Sequence, residues 1–146
     1  MRIYVAGPLF SEAERAWLDG LAARLRAEGF ECFVPHEHFE QAPEATSEVI
    51  YGFDSDALRS SDAVCAWLDG PMVDDGTACE IGIFSELCRA GQKRGIVGIA
   101  TDLRLARRRE RGVAGGGVNL FVAGAIESCG EIVHSVDAAV AALSML

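Results

Sequence analysis

Short apolar runs that end at glycine or proline recur along this chain, and each is followed by a stretch with apolar residues at helical spacing. That alternation limits the available folds more than any other feature of the sequence. A short apolar run bounded by turn formers reads as a buried strand. Residues 3–6 before Gly7-Pro8, 32–34 before Pro35, 63–68 before Gly70-Pro71, 95–100 and 132–134 all have this form. Between the first two, Ser11 with Glu14 makes a capping-box pattern, Trp17, Leu18, Leu21 and Leu25 recur on one helical face, and Gly29 closes the segment. Helices are also expected over 48–60 in spite of Gly52, over 77–90 up to Gly91, over 119–126 and over 136–146. Residues 36–47, polar and carrying Pro43, are expected to be a surface loop. Strands alternating with helices require right-handed crossovers and a parallel sheet covered on both faces. The expected fold is therefore α/β: a flavodoxin-like, doubly wound sheet of five parallel strands. No repeat or linker divides the chain, which reads as one domain over 1–146.

Half of the residues are hydrophobic, enough for a core that needs neither disulfide nor metal. Five cysteines, an odd number with no CxxC pair, point to buried thiols rather than to a disulfide framework or a zinc site. His36 and His38 flank Glu37 without a further ligand at suitable spacing, so they read as loop histidines, with His38 within reach of a ligand in the crevice described next. The net charge of −9 argues against a nucleic-acid partner, because an acidic surface repels a polyphosphate backbone. No apolar run is long enough to span a membrane, and the opening residues do not form a signal peptide, so the expectation is a cytoplasmic protein.

Ligands of doubly wound sheets bind beyond the carboxyl ends of the strands. Residues 7–10, 35–39, 69–77 and 101–104 are expected to line one crevice. The densest chemistry lies in 68–82, where a strand end leads through Asp74-Asp75-Gly76-Thr77 into a helix that carries Glu80. Asp75 or Thr77 is expected to cap that helix. The face of Glu80 holds Gly76, Thr77, Phe84 and Leu87, small or apolar company for an acid. That pattern fits either a carboxyl pairing at a helix start or one held inside the crevice.

Three segments resemble the nucleoside 2-deoxyribosyltransferase family and its wider superfamily of nucleotide N-hydrolases. They are Tyr4-Val5-Ala6-Gly7-Pro8-Leu9-Phe10; Asp56-Ala57-Leu58-Arg59-Ser60-Ser61-Asp62 followed by Asp74-Asp75-Gly76-Thr77-Ala78-Cys79-Glu80-Ile81-Gly82; and Val118-Asn119-Leu120. The resemblance implies transfer of 2-deoxyribose between nucleobases through a covalent deoxyribosyl–Glu80 intermediate, with retention of configuration. It implies Tyr4 as the group that orients Glu80, and Asp56 as the proton donor beside the base. Gly7, Phe10 and Asp74 would contact the substrate. Asn119 would reach the 5′-hydroxyl of a nucleoside held by a neighbouring subunit, which implies a homo-oligomer with shared sites. Deoxynucleosides and free nucleobases are the implied partners, and no cofactor or metal is required. An oxocarbenium-like sugar flanked by a carboxylate agrees with these roles.

The stretch Pro35-His36-Glu37-His38-Phe39 departs from the family, which often has a base-contacting amide there. The alternative on the same scaffold is hydrolysis of a nucleoside 5′-monophosphate, with Ser11 at a helix N-terminus or Arg104 as the phosphate contact. The basic run 104–111 otherwise reads as a solvated helix face. A non-catalytic nucleotide-binding module, or a flavin protein, would share the fold without needing Tyr4, Asp74 and Glu80 together.

Overall fold

The computed structural model describes residues 1–41 and 46–146. Its sheet has five strands, all parallel, in the order β2-β1-β3-β4-β5. These are β1 (Arg2–Ala6), β2 (Glu31–Phe33), β3 (Ala63–Trp67), β4 (Gly95–Ile99) and β5 (Gly130–Val133). Six helices connect and cover them: α1 (Glu12–Ala27), α2 (Ser47–Ser60), α3 (Asp75–Arg89), α4 (Leu103–Glu110), α5 (Leu120–Glu127) and α6 (Val136–Met145). The doubly wound α/β architecture expected from the alternation is what the chain forms.

Each strand feeds two cores because successive side chains point to opposite faces. Ile3 and Val5 pack with α1 and α6, against Leu18, Leu25, Val97 and Leu143. Tyr4 and Ala6 pack on the other face, with Phe33, Leu58, Ile81 and Phe84. Tyr4 is thereby placed on the side covered by α2 and α3.

Four details differ from the sequence reading. The segment expected as a loop over 36–47 begins as a 3-10 turn, Pro35–Gln41, and α2 already starts at Ser47; residues 42–45, with Pro43, lie outside the described residues. Helix α3 starts two residues earlier than expected and is capped by Asp74, not by Asp75 or Thr77. Strand β5 starts at Gly130 rather than at residue 132 because the backbones meet closely there. A Cβ on Gly130 would lie 1.9 Å from the Ile96 carbonyl oxygen, so only glycine admits that pairing. Finally, residues 101–104 turn away from the crevice. The carboxylate of Asp69 accepts hydrogen bonds from the Thr101 and Asp102 amides at 2.6 and 2.8 Å, which folds this segment into the start of α4.

The chain leaves β1 toward the β2 edge, then crosses back to β3 on the other side. The strand order reverses between β1 and β3, the place where a doubly wound sheet leaves a crevice at its carboxyl end. Glu80 faces that crevice.

Candidate active site

Glu80 lies on the second turn of α3, one turn beyond Gly76. Residues four apart share a helix face, so the missing side chain at Gly76 leaves open space directly before the Glu80 carboxyl group. The crevice there has two lobes joined at Ile50, Asp54, Gly76 and Glu80. One lobe, of about 300 Å³, is closed by Gly7, Leu9, Phe10, Pro35, Asp74 and Thr77. The other, of about 340 Å³, is bounded by Ser47, Tyr51, Leu58, Cys79 and Ile83.

The Tyr4 hydroxyl donates to Glu80 Oε1 at 2.5 Å. Tyr4 has no exposed surface, so its phenol is presented to the crevice from within the sheet. Burial pushes the Glu80 carboxyl up to about 7; the Tyr4 hydrogen bond works against that shift, and the charges of Asp54 and Asp74 add to it. Burial also raises the Asp54 carboxyl and, with the Glu80 charge, holds the Tyr4 phenol protonated. Near neutral pH this crevice holds two carboxyls of elevated proton affinity, and Tyr4 favours negative charge on Glu80.

Asp74 has a divided role. Its Oδ2 accepts from the Thr77 amide and the Thr77 hydroxyl, both at 3.0 Å, and so caps α3 while its residue borders the crevice. Phe10 projects from the loop after β1 and is 77% exposed. Arg15 holds that loop by donating from Nη1 to the Leu9 and Phe10 carbonyls at 3.0 and 2.9 Å. Gly7 lines the same lobe, and its lack of a side chain serves the opposite side as well. A Cβ there would lie 2.9 Å from Leu18 Cδ2 and 3.3 Å from Trp67 Cβ.

Asp56 is not among the residues that line either lobe. It is exposed on α2 and borders a separate depression with Cys32, Phe33, His38 and Phe53. Two residues apart on a helix means roughly 200° of rotation, so when Asp54 faces Glu80, Asp56 faces away. The signal was in the sequence. Ile50, Asp54 and Leu58 follow one another at four-residue spacing on the inward stripe of α2, and all three border the crevice. His38 also lies outside the two lobes, beside Asp56.

Asn119 does not meet the crevice of its own chain. It caps α5, its Oδ1 accepting from Phe121 N at 2.9 Å, and it lines a cavity of about 410 Å³ with Pro71, Met72, Leu105 and Val118. Ser11 is committed to the capping box with Glu14, its amide donating at 2.7 Å and its hydroxyl accepting at 3.2 Å. Arg104 donates from Nε to both Asp102 oxygens at 3.0 Å, and that pairing holds the Asp102 carboxyl down at about 2. Neither is a free phosphate ligand in the crevice, and the described residues lining its two lobes include no lysine or arginine. Among the described residues there is no cluster of ligands that would hold a metal ion, and no helix is long and apolar enough to cross a membrane.

Over residues 3–141 the chain matches the sequence model of the family described as nucleoside 2-deoxyribosyltransferase. No curated protein matches it. Among solved structures it is similar to a conserved protein from Enterococcus faecalis V583, with 28% identity over 99% of this chain and 98% of that one, and a TM-score of 0.81. A 2-deoxyribosyltransferase from Bacillus psychrosaccharolyticus shares the fold at 21% identity over 95% and 90% of the two chains, with a TM-score of 0.69. A CMP N-glycosidase from Clostridium botulinum shares it at 20% identity over the full length of both, with a TM-score of 0.56.

Proposed function

The chain belongs to the nucleoside 2-deoxyribosyltransferase family, and from that membership we propose that it transfers 2-deoxyribose between nucleobases, with Glu80 as nucleophile. The observation that carries this reading is the Tyr4 hydroxyl 2.5 Å from Glu80 Oε1, at the junction of a two-lobed crevice. The hydrogen bond orients the carboxylate and leaves Oε2 free to attack. Attack at the anomeric carbon forms a sugar ester as the bond to the base nitrogen breaks. The departing base carries the bonding electron pair and needs a proton.

Asp54 supplies that proton in this reading, the role the family resemblance had suggested for Asp56. It shares the crevice with Glu80, and burial keeps its carboxyl protonated to higher pH than an exposed one. A second base then attacks the ester from the side the first one left, returns its proton to Asp54, and restores the original configuration. Gly7 and Phe10 border the lobe that receives the base, and Asp74 accepts from the sugar hydroxyl. Water in place of the second base would give hydrolysis.

The crevice favours a neutral nucleoside over a 5′-monophosphate. A phosphate dianion there would face Asp74 and the Glu80 carboxylate with no cation among the described lining residues. A non-catalytic module would not require a buried carboxyl held by a buried phenol.

Asn119 lies outside its own crevice, so it reaches a nucleoside only if a second copy presents it. Leu120 and Phe121, next in sequence, are 63% and 88% exposed, and they border a groove between α3 and α5. That apolar exposure fits a homo-oligomer, dimer or larger, with shared sites. Because Asn119 Oδ1 caps α5, Asn119→Asp keeps the cap while replacing the amide donor with a charged acceptor. We expect it to raise KM for deoxynucleosides about tenfold, the loss of one hydrogen bond, without lowering Tm. Asn119→Ala should in addition cost about 1 kcal/mol of stability. An unchanged KM in Asn119→Asp would remove Asn119 from the site.

The reaction is tested with deoxyinosine, with and without free adenine, and with a deoxynucleoside monophosphate in parallel. Formation of deoxyadenosine is the expected outcome. Hypoxanthine released without exchange would make the enzyme a hydrolase, and turnover of the monophosphate alone would refute the electrostatic argument.

A further inference from the structure

Tyr4 is one member of a stack of three rings. It pairs in register with Phe33 across β1 and β2, and their ring centroids are 5.4 Å apart at 23°. Phe33 in turn stacks with His38, at 4.7 Å and 9°. Phe53 of α2 leans on both, at 5.8 Å from Phe33 and 6.0 Å from His38. Strand β2 is the sheet edge and only three residues long, so no further strand supports Phe33 from outside. That support comes from the 3-10 turn that carries His38. The Nδ1 of His38 is buried and makes no hydrogen bond among the described residues, so what this ring contributes at that position is its flat face.

We propose that His38 and Phe33 are positioning residues for Tyr4, and that the turn after β2 sets the length of the Tyr4–Glu80 hydrogen bond through this stack. The inference rests on Glu80 being the nucleophile as read above. Among the described residues, none other at the crevice does what Tyr4 does. The groups that face Glu80 are Tyr4 from β1, Asp54 from α2 and Asp74 before α3, and of these only Tyr4 favours the ionised carboxylate. If the stack loses its outer ring, Phe33 relaxes outward, Tyr4 follows, and the carboxyl becomes harder to ionise. The turn also places Pro35 on the crevice wall, so the same short segment touches the substrate space and supports the nucleophile.

The test reads Glu80 directly, without substrate. Carboxyl carbons of ¹³C-glutamate-labelled protein are titrated by NMR, with the Glu80 signal assigned by its loss in Glu80→Gln. The wild-type midpoint is expected near 7. His38→Ala should raise it by about one pH unit, the size expected when one hydrogen bond to a charged group is weakened. Phe33→Leu should move it in the same direction. His38→Phe keeps a flat ring and has no titrating nitrogen, and should return the midpoint to the wild-type value. At pH 7 a one-unit rise lowers the ionised fraction about fivefold, so kcat should fall about fivefold with KM unchanged. If His38→Ala does not fold, His38→Leu serves, with the same expected direction. A midpoint that stays at the wild-type value while Tm falls would overturn the proposal, because a purely structural role lowers stability alone. Failure of His38→Phe to restore the midpoint would overturn it as well. Because the titration needs no turnover, a protein inactive on deoxynucleosides would refute the reaction while leaving this inference to be judged by the midpoint.

Discussion

Glu80→Gln is expected to abolish deoxyribosyl transfer, lowering kcat by at least about 10⁴-fold, while the protein stays folded. The amide cannot form the sugar ester, yet its oxygen can still accept from the Tyr4 hydroxyl, so the local geometry survives. Stability gives a second, independent readout. The Glu80 carboxyl titrates at about 7 in the folded protein, above its usual value of about 4.3 when unfolded. Between those two values the folded state binds more protons, so the wild type loses stability as pH rises through that window. Glu80→Gln lacks this loss, and its Tm should exceed that of the wild type at pH 8 but not at pH 4. The wild-type rate should rise with pH to a midpoint near 7 as the nucleophile ionises. Retained turnover in Glu80→Gln would eliminate Glu80 as nucleophile.

The second large effect separates two aspartates on one helix. Asp54→Asn should lower kcat by roughly 10²- to 10³-fold, because the leaving base loses its proton donor. Asp56→Asn should leave kcat within about twofold, since the exposed carboxylate touches nothing in the crevice and surface changes of this kind are small. The comparison is informative because both variants remove one carboxyl from α2 at positions two residues apart. Bases that leave readily without protonation should lose less in Asp54→Asn than poor leaving groups do, and a series of deoxynucleosides graded by base acidity measures this. A large defect in Asp56→Asn with Asp54→Asn near wild type would reverse the assignment.

The five strands, five of the six helices and the parallel sheet were legible from local signals; α4, in the basic run 104–111, was not placed as a helix of the fold. Buried runs that end at Gly7-Pro8, Pro35 and Gly70-Pro71, and the capping box of Ser11 with Glu14, are short-range features that leave the backbone few alternatives. Glu80 was legible for the same reason, as one acid on an otherwise small and apolar helix face. Tertiary structure alone decided how side chains share the crevice. Whether Asp54 or Asp56 faces Glu80 depends on the rotation of α2 about its own axis, which packing against β1 and α3 determines. The stack of Tyr4, Phe33 and His38 joins residues from two strands and a turn whose register becomes defined only when the sheet forms. Ser11 keeps the capping-box partner that its sequence already indicated, Glu14, and Arg104 is paired with Asp102, so neither side chain reaches the crevice. What the local pattern determined was which elements form and which acid is out of place; which groups meet that acid was decided by packing, because the partners are far apart in the chain and no local rule relates their orientations.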